Sequence, residues 1–426
     1  MNQPKGSYRW TICALLFFAT TINYMDRQIL SLLKPMLDGE LHWTNEQFGQ
    51  VNAAFQAAYA VGLLGFGAFI DRFGTRAGYA LSIAAWSLAA IGHAAVSTVS
   101  GFLGARVALG LGEGGNFPSA IKAVAQWFPR KERALATAIF NSGANVGAII
   151  APAIIPWLAD TWGWRSAFVV AGVAGLLWLA FWLPLYEIPE RAKRLGKEEL
   201  AYIHSDGVEA SVQRISALRL LRHRQAWAFV VAKFLTDPVW WFFLIWLPDY
   251  FKKTRGLDIK HSWVLLVSIY SIVTVLSIVG GWLTGYLTRR GYSVSRARKT
   301  AMFVAACLVL PIFAVTRVGN WSAVLLIGLA GAAHQAWSAN LFTSASDVFP
   351  KRAVASVVGL GGMAGSLGGI LFPLYSGEML DRFQAVGNVT AGYALLFGIC
   401  GSAYLLAFAL NHLLAPRFER IEFDEI

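Results

Sequence analysis

Apolar residues in this chain fall in long, nearly unbroken runs, not at the three-to-four-residue spacing of a helix that half faces water. Twelve runs approach or exceed the roughly 20 residues needed to cross the hydrocarbon of a bilayer. They cover 10–33, 48–70, 77–96, 101–127, 133–158, 164–185, 226–250, 262–287, 299–315, 321–346, 354–376 and 391–414. Backbone amides cannot be left unpaired in lipid, and the strict alternation of a membrane β-barrel is missing, so each run is expected to be a helix. The longest polar stretch divides the runs six and six, giving an amino-terminal bundle over 1–185, a linker over 186–225 and a carboxy-terminal bundle over 226–426. Glu and Lys at i,i+4 spacings in the linker suggest a short solvated helix.

The two halves carry traces of one another. Phe128-Pro129-Arg130-Lys131 recurs as Phe349-Pro350-Lys351-Arg352, and at the same offset Ala134 matches Ala355, Gly147 matches Gly368 and Pro152 matches Pro373. Both copies fall at the junction of the fourth and fifth spans of their half, as expected of diverged copies of one six-helix unit.

Composition agrees with this pattern. Of 426 residues, 56% are hydrophobic and 14% charged, and the mean hydropathy is +0.52. A soluble domain has about 25% charged residues, so the bilayer is the natural solvent. The net charge of +12 raises the question of a nucleic-acid partner, and position answers it. With a cytoplasmic amino terminus, most Lys and Arg fall on the cytoplasmic connections, Lys34 and a few others fall outside, and only Arg27, Arg106, Lys122 and Lys233 lie within spans. The positive-inside rule then explains the charge without nucleic acid and puts both termini in the cytoplasm. Cys13, Cys307 and Cys400 sit in apolar runs without disulfide or metal spacing.

Charges inside the spans are the candidate chemistry, since each costs at least about 2.5 kcal/mol at the bilayer centre. The first span carries Asp26-Arg27 after Asn23-Tyr24-Met25, and the fourth carries Arg106-x-x-x-Gly110-x-x-Glu113. Positions i, i+4 and i+7 share a helical face, so Arg106 and Glu113 point the same way about 10 Å apart along the axis. With both acids ionised the four groups sum to zero. A carboxylate substrate makes the site −1, and one proton restores neutrality.

The seventh span reads Lys233-Phe234-Leu235-Thr236-Asp237-Pro238-Val239-Trp240-Trp241. Asp237 is either a site residue or a partner for the break at Pro238, and the two tryptophans either stack on a sugar or pack. Tyr24, Tyr59, Gln335 and Asn340 are hydrogen-bonding candidates, whereas His93 and Lys122 read as packing or edge groups. Gly110-x-Gly112-x-x-Gly115 matches a dinucleotide fingerprint in letters only, because no strand precedes it. No P-loop, metal spacing or nucleophile beside a base appears. Neither a membrane enzyme nor a cofactor is therefore indicated, and paired opposite charges suit solute binding better than a passive channel.

Between the second and third spans lies Gly67-x-x-x-Asp71-Arg72-x-Gly74-x-Arg76. It resembles the loop signature of the major facilitator superfamily, and with twelve spans the resemblance covers essentially the whole chain. The resemblance implies an all-α fold of two pseudo-symmetric six-helix bundles, with Gly67, Asp71, Arg72 and Arg76 in a gating loop. The corresponding loop after the eighth span departs from the pattern, having Gly285 where an acid is usual. Asn23-Tyr24-x-Asp26-Arg27 and Arg106-x-x-x-Gly110-x-x-Glu113-Gly114 resemble the anion:cation symporters, and Phe234 to Phe242 with Arg289-Arg290-Gly291-Tyr292-Ser293 most resemble the hexuronate transporters among them.

That resemblance implies proton coupling by Asp26 and Glu113. It implies carboxylate binding by Arg27 and Arg106, and a lining that includes Tyr24, Tyr59, Asp237, Trp240, Gln335 and Asn340. The expected protein is a monomeric symporter of the bacterial inner membrane, surrounded by lipid, that carries a sugar-acid anion with a proton. An aldonate cargo and sodium coupling stay open at this point.

Overall fold

The computed structural model describes residues 6–205, 217–257, 259–349, 351–419 and 421, and every regular element among them is helical. The first half contains α1 (Tyr8–Leu41), α2 (Asn45–Phe73), α3 (Thr75–His93), α4 (Val99–Glu113), α5 (Asn116–Trp127), α6 (Arg130–Trp162) and α7 (Arg165–Leu185). The connecting segment holds a single 3-10 turn, Pro189–Arg191, and the short helices α8 (Lys197–Ile203) and α9 (Ala217–Leu220). The second half contains α10 (Arg224–Arg255), α11 (Ile259–Arg289), α12 (Val294–Val309), α13 (Asn320–Val348), α14 (Lys351–Ala385) and α15 (Val389–Leu414).

Each apolar run has become a helix, several running past the expected bounds, α14 as far as Ala385, and three departures have a local cause or consequence. The fourth run is broken at Gly114-Gly115, so α4 ends on Glu113 and α5 restarts at Asn116. The ninth tightens into a 3-10 segment, Leu310–Arg317, at Pro311, which has no amide hydrogen to continue the α ladder. The first continues to Leu41, which places Lys34 inside α1, buried and paired with Asp38 at 2.9 Å, not on an outer connection. Six helical stretches among the described residues are long and apolar enough to cross a membrane: Ile139–Trp162, Arg165–Leu185, Arg224–Arg255, Val294–Arg317, Val357–Ala385 and Val389–Leu414. The charge-bearing α1 is outside that set.

The helices sort into two compact units, Met1–Trp43 with Gln50–Ser211, and Thr44–Gly49 with Val212–Ile426. In the first, α1 packs along α6 and α3 along α4 and α7. A core of Trp86, Trp127, Trp182 and Tyr79 lies at the centre, all essentially inaccessible to solvent. In the second, α10 packs on α14 and α15, and α11 on α13. This unit also takes in the first turn of α2, whose exposed amides are capped by Asp381. Its carboxylate accepts from the Asn45 amide at 2.9 Å and the Glu46 amide at 2.6 Å.

The repeated motif has the same local structure in both units. Phe128 and Phe349 are buried in extended conformation after α5 and α13, and the helices that follow each contain an internal proline, Pro152 and Pro373.

The linker is not uniformly solvated. Glu199 on α8 is buried, and its carboxylate accepts from the Tyr8 and Arg9 amides at 3.1 and 3.2 Å and from Arg9 Nη1 at 2.9 Å. A carboxylate at a helix N-terminus meets both the free amides and the positive end of the dipole, so α8 clasps the start of α1.

Candidate functional site

Helices α1 and α4 bring the four embedded charges together inside the first unit. Asp26 and Arg106 each keep 1% of their exposure, Arg27 8% and Glu113 none. Arg27 Nε donates to Glu113 Oε2 at 2.6 Å, an ion pair between two helices. The Arg27 guanidinium also lies against three rings, 4.5 Å from the centroid of Tyr59, 5.0 Å from Tyr24 and 5.6 Å from Phe55. Planar, weakly hydrated guanidinium groups are suited to such surroundings. Arg106 approaches the same Phe55 ring at 5.5 Å, and Phe55 and Tyr59 stack with 13° between their planes.

Backbone approach explains how these groups meet. A Cβ at Gly110 would stand 2.5 Å from the Phe55 carbonyl oxygen, closer than atoms tolerate. Only glycine lets α4 ride this near to α2, and that approach carries Arg106 and Glu113, on the turns either side, to the aromatic pair.

Asp26 lies within electrostatic reach of Glu113, Arg106 and Arg27. Both of its carboxylate oxygens, Glu113 Oε1, and Nε and Nη2 of Arg106 make no hydrogen bond among the described residues. Buried polar atoms in this condition cost about 1–3 kcal/mol each. Arg106 thereby keeps a donor edge of the geometry that pairs with a carboxylate, and the two acids keep oxygens with room for a further hydrogen bond.

The second unit contains a different polar group of side chains. Lys233 and Asp237, one turn apart on α10, pair at 2.7 Å, and Lys233 Nζ lies 4.2 Å from the Phe342 ring centroid. Trp240 stacks on His334 with centroids 5.4 Å apart and 6° between planes, and His334 Nδ1 is 2.6 Å from the Tyr404 hydroxyl. Gln335 is half-buried. Asn340 is buried with both ends engaged, Oδ1 accepting from Thr284 Oγ1 at 2.7 Å and Nδ2 donating to the Ala336 carbonyl at 2.9 Å.

The expected gating loop is a single residue, Gly74, with Gly67, Asp71 and Arg72 in α2 and Arg76 in α3; Gly74 has φ +87°, which explains a glycine there. Gly67 has open space beside its Cα, and Arg72 is exposed over Phe73. Arg76 holds the end of α7, donating to Glu187 Oε2 at 2.8 Å and to the Leu183 carbonyl at 2.5 Å. The Asp71 side chain lies outside the described residues. Lys122 Nζ donates to the Ile70 carbonyl in the last turn of α2 at 3.0 Å, where a cation is favoured. His93 stacks on Phe168 at 4.8 Å and donates to the Ala89 carbonyl.

Phe55 is the contributor that sequence reasoning passed over. The available signal was its position one turn before Tyr59, on the same face of α2.

Comparison with known proteins follows the same lines. The family model of the Major Facilitator Superfamily matches residues 16–373. A hexuronate transporter of Escherichia coli (strain K12) is 32% identical over 406 residues, covering 94% of this chain and 92% of that protein. A galacturonate transporter of Dickeya chrysanthemi is 32% identical over 317 residues, covering 73% of this chain and 91% of that protein. Among solved structures, a bacterial homolog of the human lysosomal transporter Spinster, inward-facing and occupied, has a TM-score of 0.77 at 17% identity and covers 97% of this chain and 98% of its own. Likeness at that identity speaks for fold alone.

Proposed function

Because the chain belongs to the Major Facilitator Superfamily, a family of multi-pass membrane carriers and not of enzymes, we propose that it is a proton-coupled symporter of hexuronates such as glucuronate or galacturonate. Its cargo is a sugar acid, as the names of its relatives indicate. The choice of hexuronate rests on the two relatives of that substrate class at 32% identity. The observation that carries the coupling is the buried Arg27–Glu113 pair with Asp26 and Arg106 beside it.

Charge accounting gives the mechanism. The empty site is neutral as two acids and two arginines. A uronate carboxylate accepting from Arg106 leaves it one negative charge in excess, and a dehydrated site resists that. A proton on Asp26 or Glu113 restores neutrality; on Glu113 it also weakens the hold on Arg27, freeing a second guanidinium for the anion. Substrate and proton therefore favour one another's binding, which is the thermodynamic content of symport. Tyr24 and Tyr59 are the lining that the first unit offers the sugar hydroxyls and ring faces, and Asp237, Trp240, Gln335 and Asn340 are the lining that the second unit offers. Alternating access moves the cargo, with Gly67, Asp71 and Arg72 on α2 and Arg76 on α3 gating from either side of the turn at Gly74. The basic connections support a reading in which both termini are cytoplasmic and the chain works as a monomer in a bacterial inner membrane.

Uptake into proteoliposomes of uronates, aldonates and neutral sugars, with proton and sodium gradients imposed separately, tests this. Proton-driven uptake of uronates above the other two classes is expected. Equal uptake of neutral sugars removes the role of the arginines, aldonates taken up ahead of uronates change the cargo, and sodium drive with no pH response removes the proton.

A further inference from the structure

Where α7 leaves the apolar region, the start of the linker folds back beside α1 and α3 and forms a cleft of about 310 Å³. Tyr8, Arg76, Glu187, Arg191, Lys193 and Arg194 are among the residues around it. Four of these six are cationic and one is acidic, and Glu187 is already engaged by Arg76. Arg191, Lys193 and Arg194 are exposed.

The walls are well fixed. The Tyr8 hydroxyl donates to the Leu185 carbonyl at 2.6 Å, and Trp127 Nε1 donates to the Glu187 carbonyl at 3.2 Å. Leading up to the cleft, one outer face of α7 presents Leu177 and Phe181, a turn apart and each 60% exposed. In a membrane protein such a face meets acyl chains.

A basic cleft directly above a lipid-facing helix has the chemistry of one ligand class. We infer that this cleft binds the phosphate headgroup of an anionic phospholipid, with Arg191, Lys193 and Arg194 on the phosphate and the acyl chains along Leu177 and Phe181. Charge alone admits a free phosphate ester as well; the apolar track of α7 selects the lipid. Basic residues beside a membrane surface attract anionic lipid additively, so three of them in one cleft predict a preference on the order of tenfold or more over a zwitterionic headgroup.

The test is native mass spectrometry of the full-length protein in detergent with dioleoyl phosphatidylglycerol or dioleoyl phosphatidylcholine. Phosphatidylglycerol is expected to bind about tenfold more tightly, the variant R191Q/K193Q/R194Q to lose the preference, and R191K/R194K to keep it. The variant R289Q/R290Q, which removes two exposed basic residues elsewhere, is expected to keep it as well. Preference retained in the triple variant, or lost equally in R289Q/R290Q, overturns the site. Displacement of the lipid by equimolar inorganic phosphate or glycerophosphoglycerol overturns the lipid assignment in favour of a soluble phosphate.

Discussion

The charged groups of the two units differ in how their partners are held. In the first, Arg27 on α1 reaches Glu113 on α4, so the pair joins two helices, and oxygens of Asp26 and nitrogens of Arg106 beside it make no hydrogen bond among the described residues. In the second, Lys233 and Asp237 belong to one turn of α10 and remain neighbours whatever that helix does. A pair between helices can exchange a partner for a substrate or a proton. A pair within one turn neutralises itself locally, and its residues are then available mainly as shape and polarity. The comparison favours the first unit as the seat of the proposed ionic work.

The largest expected effect comes from the arginines. Arg106→Gln or Arg27→Gln should reduce uronate uptake by about 100-fold or more, since losing one partner of a buried charge contact costs about 2–5 kcal/mol. The measurement is initial uptake rate at matched protein level in proteoliposomes. A loss of the same size in Lys233→Met would erase the distinction between the units.

A double-mutant cycle on the second pair gives the next effect. Removing Asp237 leaves a buried lysine and removing Lys233 leaves a half-buried carboxylate, each without its partner, whereas Lys233→Met with Asp237→Leu removes both charges. Thermal unfolding in detergent should show each single variant destabilised by about 1–3 kcal/mol and the double variant less than their sum. Strict additivity would mean that the pair is not coupled.

The smallest effect separates two glycines. A methyl group at Gly110 meets the Phe55 carbonyl and the Tyr59 amide, which are backbone and cannot move alone, while one at Gly365 meets the carboxylate end of Asp237. Gly110→Ala should cost about 1–3 kcal/mol and Gly365→Ala less, read as shifts in unfolding temperature. The reverse order would contradict the packing described for α4 on α2.

Much of this was legible in the sequence because lipid makes two simple demands. A span must be apolar for about 20 residues, so the helices show as runs, and any charge left inside them stands out, so Asp26, Arg27, Arg106 and Glu113 are conspicuous. Partner choice was not legible. Helical spacing relates Arg106 to Glu113 on one helix, but it is a crossing geometry that gives Glu113 to Arg27, and no periodicity encodes it. The break at Gly114-Gly115 was hidden because glycine is tolerated within apolar helices as readily as at their ends. The docking of α8 through Glu199 was hidden because a capping carboxylate 190 residues away from Arg9 has the same letters as a solvated one. Phe55 was missed for a related reason: an aromatic residue in an apolar run looks like lipid-facing or core surface until the arginines are placed on it.

The central claim is that a proton on Glu113, the acid that holds Arg27, is what drives sugar-acid accumulation. Glu113→Gln fixes one acid in its uncharged form, and the measurement is glucuronate movement in proteoliposomes under two regimes, an imposed pH gradient and substrate counterflow without one. Loss of pH-driven accumulation with counterflow retained is the predicted result. Accumulation that still follows the pH gradient in the Glu113→Gln protein would contradict the account.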